Sequence, residues 1–189
     1  MCWRCRARFE SLESIPTLWA EGPPADATLY PARTGFADLL AVFKQPGESP
    51  AWMTAINRDE HYLWFSLKDP AVLPATLFWI ENHGRHASPW NGRNRCLGLE
   101  DLCSYFADGL APSVEENLLT REGIRTVVEL EASRPTEIRY IQGAAPVPEG
   151  FDEVATLTFR PGAIVVTAVG GGQVTIPVQH EYLRTGRLR

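Results

Sequence analysis

The sequence predicts an all-β fold: an antiparallel β-sandwich with at most short helices. Three observations predict it. Apolar residues alternate with polar ones in many short runs, and no stretch keeps a helical period for three turns. The runs are punctuated by turn residues, with 15 Gly and 15 Pro in 189 residues. Their spacing of roughly 8 to 12 residues is that of sandwiches and barrels. No fixed-period repeat or low-complexity linker divides the chain, so it reads as a single domain over 1–189.

The elements follow in order. Arg8 to Thr34 carries four prolines and holds no clear pattern. Phe36 to Phe43 is a short apolar run bounded by Gly35 and Pro46, read as a strand. Ala51 to Asn57 puts Trp52, Thr54 and Ile56 on one face, and His61 to Leu67 does the same with Leu63, Phe65 and Leu67. Asn57-Arg-Asp-Glu60 between them supplies turn residues, so the pair reads as a hairpin. Leu77-Phe-Trp-Ile80 is continuously apolar, as in a strand buried on both faces. Cys96 to Cys103, Ile124 to Glu131, Glu137 to Gln142, Val154 to Phe159, Ile164 to Val169 and Val174 to Val178 complete the strands. One helix signal stands among them. Ser113-Val-Glu-Glu116 has capping-box spacing before Asn117-Leu-Leu119, for one or two turns ending near Gly123.

Composition excludes several classes. Net charge is −5, which disfavours a nucleic-acid partner, because phosphate binding wants a basic face. No apolar run approaches the roughly 18 residues of a membrane span. The basic start lacks an apolar h-region, so the expectation is a cytoplasmic protein without disulfides. Cys2-x-x-Cys5 is half of a zinc spacing, and Cys96 and Cys103 fall on opposite faces of one strand, so no metal is expected there. Gly170-Gly-Gly172 reads as a hairpin turn between strands.

The most informative segment is Glu81 to Arg95. It packs two His, three Arg, three Asn, Trp90 and Pro89 between two apolar strands. A plain hairpin needs only about two to five connecting residues, and long polar loops are where sites concentrate. Trp90 suits stacking on a sugar face, and Arg85, Asn91 and Arg93 suit hydrogen bonds to hydroxyls. The bland alternative is a surface loop tied by its own hydrogen bonds. In the following strand, period two sets Leu97 and Leu99 on one face and Cys96, Gly98, Glu100 and Leu102 on the other. Glu100 thus falls in an apolar context beside a glycine that leaves room for a ligand. A carboxylate there is either paired with an arginine or poised as a general base.

Leu77-Phe-Trp-Ile80, the polar loop and Leu97-Gly-Leu-Glu100, in that order, resemble the C-terminal region of the galactose mutarotase-like (aldose 1-epimerase) superfamily. His83-Gly-Arg-His86 with Pro89-Trp-Asn-Gly-Arg93 looks like an uncharacterised subgroup of it, and the resemblance covers roughly Ala51 to Pro146. It implies a partial β-supersandwich that interconverts sugar anomers without a cofactor. A Glu removes the anomeric proton and a His protonates the ring oxygen. Glu100 matches the family's base by position. The family's catalytic His lies well upstream of that Glu, whereas the upstream histidines here are His61, His83 and His86. The chain therefore reads as lacking the N-terminal part of the family fold, with His83 or His86 as acid or binder by proximity.

Three functions remain open at this point. The first is aldose 1-epimerase-like isomerisation with Glu100 as base. The second is a non-catalytic carbohydrate-binding sandwich or inactive remnant. The third is a cupin-like metal enzyme using His83, His86 and Glu100, disfavoured because cupin ligands sit as His-x-His on one strand face. The expected partner is a sugar or sugar derivative. Unpaired sheet edges also point to a homo-oligomer.

Overall fold

The computed structural model describes residues 11–15, 26–31, 35–44, 47, 49–106 and 108–188. Their fold is all-β. Nine strands form three antiparallel sheets: β1 (Phe36–Phe43), β2 (Ala51–Asn57), β3 (Tyr62–Lys68), β4 (Ala75–Asn82), β5 (Arg95–Leu102), β6 (Tyr140–Pro146), β7 (Val154–Arg160), β8 (Ala163–Ala168) and β9 (Gln173–Pro177). The sheet orders are β1-β4-β5, β2-β3-β6 and β7-β8-β9. Three short helices accompany them: α1 (Leu110–Val114) and α2 (Leu118–Arg121) between β5 and β6, and α3 (Tyr182–Thr185) after β9. No helix among the described residues is long and apolar enough to cross a membrane. Cys2 and Cys5 lie outside the described residues, and Cys96 and Cys103 are free thiols.

The chain forms two interleaved compact units. One takes the chain up to Phe43 together with Ala75–Glu115, and the other takes Lys44–Pro74 with Glu116–Arg189. The second unit holds the expected hairpin. Asn57 Oδ1 accepts from Asp59 N at 3.1 Å and Glu60 N at 3.0 Å, which closes the β2–β3 turn. Alternation then aims Leu63, Phe65 and Leu67 inward, where they form one core with Leu157, Ile164, Val166, Ala168 and Ile176 of β7–β9. Two sheets thus enclose a single apolar layer in this unit. Removing these side chains from water, at about 25 cal/mol per Å² of apolar area, is its main stabilising term.

The first unit is built on β4, which β1 and β5 flank on either side. All of β4 except Trp79 is buried, as a continuously apolar central strand requires. Register fixes its faces: Leu77, Trp79 and Glu81 lie opposite Glu100, Gly98 and Cys96 of β5.

Two expectations are corrected. Ile124 to Glu131 forms no strand, although its apolar residues alternate. Thr126 alone in that run is buried, held by Asn117 Nδ2 at 3.2 Å, and Leu130 is 76% exposed. Alternation supplies a face, but a strand also needs a neighbour to pair with. The capping box is displaced as well. Ser113 lies inside α1, where its hydroxyl donates to Gly109 O at 2.8 Å. The box forms four residues later, between Asn117 and Thr120 at the start of α2.

Candidate functional site

The loop between β4 and β5 is organised by its own backbone. His83 N donates to Asn94 O at 2.9 Å, and Gly92 N donates to Arg85 O at 2.8 Å. Trp90 N and Asn91 N both donate to Ala87 O, and Arg93 N donates to Trp90 O. Gly92 is required twice over. Its φ is +67°, and a Cβ there would stand 3.2 Å from His86 Nδ1. His83 and Asn91 share the left-handed region, at φ 63° and 51°. The His83 Nδ1–H donates to Gly92 O at 2.8 Å, which fixes its tautomer and leaves Nε2 as the lone-pair nitrogen. Both histidines are therefore built into the turn around Gly92. Asn91 and Arg93 sit exposed on it.

Glu81, at the end of β4, anchors the loop. Its side chain is fully buried, and Oε1 accepts from Arg85 N at 3.0 Å. Arg85 Nε stands 3.3 Å from Oε2, near enough for an ion pair. It is not aligned as a donor, so Oε2 is compensated in charge yet lacks a hydrogen bond among the described residues. Arg85 turns its guanidinium over Trp79, 5.4 Å from the ring centroid. Trp90 meets Trp79 edge to face at 5.4 Å. The buried Trp79 Nε1–H likewise has no acceptor among the described residues. Tyr30 closes the back of the cluster by donating to Glu81 O at 2.6 Å. Burial pushes its phenol above the usual value, aided by Cys96 and Glu81 and opposed by Arg95.

The expected site residues divide into two groups. Glu100, Trp90 and Arg85 come together around Trp79. Glu100 lies on the Trp79 face of the sheet with its Oε1 over Gly98, and it is exposed rather than enclosed by apolar neighbours. The apolar context drawn from period two is lost because β5 is an edge strand. The room left by Gly98 is taken by the Trp79 and Glu100 side chains themselves. His83 is not brought to Glu100. Glu100 pairs with Leu77, six positions before His83 on the same strand path. At about 3.4 Å per residue that is roughly 20 Å of backbone. His83, His86 and Glu100 form no metal-holding group, and no such group occurs among the described residues.

Sequence reasoning missed Trp79, Glu81 and Tyr30. Trp79 reads as core because it stands in an apolar run. The usable signal was Glu81 followed four residues later by Arg85, and the shared face that period two gives Trp79 and Glu81. No protein-family model, curated protein or solved structure matches the chain.

Proposed function

We propose that the Trp79–Arg85–Trp90 cluster, with Glu100 at its flank, binds a sugar without transforming it. One observation carries this reading. A carboxylate, a guanidinium and two half-buried indoles share one sheet face beside a self-braced loop. The apolar face of a pyranose suits an indole, and its hydroxyls suit an exposed carboxylate acceptor and guanidinium donors. The buried Trp79 Nε1–H and Glu81 Oε2 add, beside the cluster, a donor and an acceptor that lack hydrogen-bond partners among the described residues.

The same geometry weighs against His83 as the acid partner of Glu100 in the epimerase reading. Ring opening needs a base and an acid both within about 2.6–3.2 Å of one anomeric centre. Glu100 and His83 are set too far apart along the strands to bracket it. Glu81 is nearer the histidine but fully buried.

Titration with a panel of aldoses and disaccharides, followed by the Trp79 and Trp90 indole N–H resonances, tests the proposal. Saturable shifts with at least one sugar are expected. Trp90→Ala and Glu100→Gln should each weaken binding about tenfold, the loss of roughly 1.4 kcal/mol. No shift with any sugar overturns the proposal. Anomer exchange faster than the spontaneous rate, and lost in Glu100→Gln, would replace it with the isomerase reading.

A further inference from the structure

The second unit holds a cleft of about 250 Å³ that the sugar reading does not use. It is lined by Asp69 and Pro70, which follow β3, by Phe159 of β7, and by His180, Leu183 and Arg184 in and just before α3. Part of this lining is fixed in place. Pro70 and Leu183 are buried, and Leu183 belongs to the core. The His180 Nε2–H donates to Arg160 O at 2.7 Å, and Phe159 meets its ring edge to face at 5.0 Å. Two charges in the lining are left without a counter-charge. Asp69 Oδ1 accepts from Ala71 N at 2.8 Å, and no other hydrogen bond or ion pair reaches its carboxylate among the described residues. Arg184 is held through its carbonyl, which accepts from Arg139 Nη1 at 2.9 Å, while its guanidinium makes no hydrogen bond or ion pair among the described residues. Glu181, the other carboxylate in the lining, stands 3.6 Å from His180 Nε2 and is already engaged.

We propose that this cleft binds a free amino acid with an apolar side chain, its ammonium on Asp69 and its carboxylate on Arg184. Three features select that class. A carboxylate and a guanidinium line one cleft without pairing with each other, so an occupant that carries both charges satisfies both. An ion of a single sign would satisfy one and be repelled by the other. The volume lies below the roughly 300–1,000 Å³ of sites for drug-sized molecules, so the occupant is small. Phe159, Leu183, Pro50 and Pro70 offer apolar surface to a side chain. The roles of the two charged groups follow from their shapes. The planar guanidinium takes a carboxylate in two parallel hydrogen bonds. Asp69 already uses Oδ1 for Ala71 N, which leaves Oδ2 to accept from an ammonium. Arg184 is exposed, and ordering its side chain costs entropy, so the complex is a weak one. The cleft shares no residue with the Trp79–Arg85–Trp90 cluster and does not depend on the sugar reading.

Titration of the full chain with L-phenylalanine and with L-leucine, followed by the His180 imidazole resonances, tests this. Saturable shifts are expected with at least one of them. The N-acetyl derivative of the bound amino acid lacks the ammonium, and its amide lacks the carboxylate. Each should bind about tenfold more weakly, the loss of one charge-assisted contact. Asp69→Asn keeps an acceptor for Ala71 N, and should take the free amino acid no better than the wild type takes the N-acetyl form. Arg184→Gln should reduce the free amino acid to the level of the amide in the same way. Circular dichroism confirms the fold of both variants. No saturable shift with either amino acid overturns the proposal. So does binding of the N-acetyl and amide derivatives as tight as that of the free amino acid, or binding that neither variant weakens.

Discussion

Gly98 on β5 lies directly opposite Trp79 on β4, and a Cβ on Gly98 would stand 3.3 Å from Trp79 Cβ and 3.1 Å from Glu100 Oε1. The two contacts differ in kind. Glu100 is exposed and its carboxylate can swing aside. Trp79 Cβ is fixed to the buried central strand, so the indole must tilt or the strands must part by a few tenths of an ångström. Gly98→Ala should therefore lose about 1 kcal/mol, crowding outweighing the smaller unfolded-state gain of replacing glycine. It should also change tryptophan fluorescence, because Trp79 holds Trp90 and Arg85 in place. A denaturant midpoint equal to or above the wild type would show that the sheet absorbs the methyl group.

Gly143 on β6 faces a harder limit. It pairs with Phe65 of β3, and a Cβ would come within 2.9 Å of Phe65 Cζ and 3.1 Å of Cε1. Phe65 is 3% exposed and belongs to the core shared by two sheets. Its ring lies across the β6 backbone and is packed within that core. Gly143→Ala should cost about 1–3 kcal/mol, as overpacked cores do. The double variant Gly143→Ala/Phe65→Leu should lose less than the sum of the two single losses, because the smaller side chain removes the clash. Additive losses would place the effect in the backbone instead.

These two glycines show what was readable in advance. Alternation located seven of the nine strands to within about four residues, because a strand with one buried face writes period two into its sequence, and the continuous apolar run Leu77–Ile80 marked β4. Phe36–Phe43 was readable from its punctuation. What alternation cannot say is whether a run finds a neighbour, and Ile124 to Glu131 shows the cost. The loop from Glu81 to Arg95 was legible as unusual by composition alone. Its internal arrangement was not, because it rests on positive-φ turns and on a buried carboxylate reaching a backbone N–H. Trp79 was misplaced for a related reason. Period two gives a side chain its face of the sheet, not what a loop will lay across that face.

Tyr30 supplies a pH test of the loop's anchor. Its hydroxyl donates to Glu81 O at 2.6 Å, and burial first, then Cys96 and Glu81, raise its pKa against the pull of Arg95. The folded state thus favours the neutral phenol, while the unfolded chain ionises near the ordinary value of 10.0. Tyr30 contributes stability that is fully present below pH 10 and is lost as pH rises through its elevated folded value. At neutral pH, Tyr30→Phe should cost about 1 kcal/mol, the net worth of a half-buried hydrogen bond. Toward alkaline pH the gap between the two proteins should close, because only the wild type carries the ionising group. Denaturant midpoints from about pH 8 to about pH 11.5, spanning the ordinary tyrosine range, measure this. Absorbance at the phenolate band should show one tyrosine of the wild type titrating late, and that component should be missing in Tyr30→Phe. Stability curves that stay parallel across the range would mean that Tyr30 ionises alike in both states and does not anchor the Glu81 strand end.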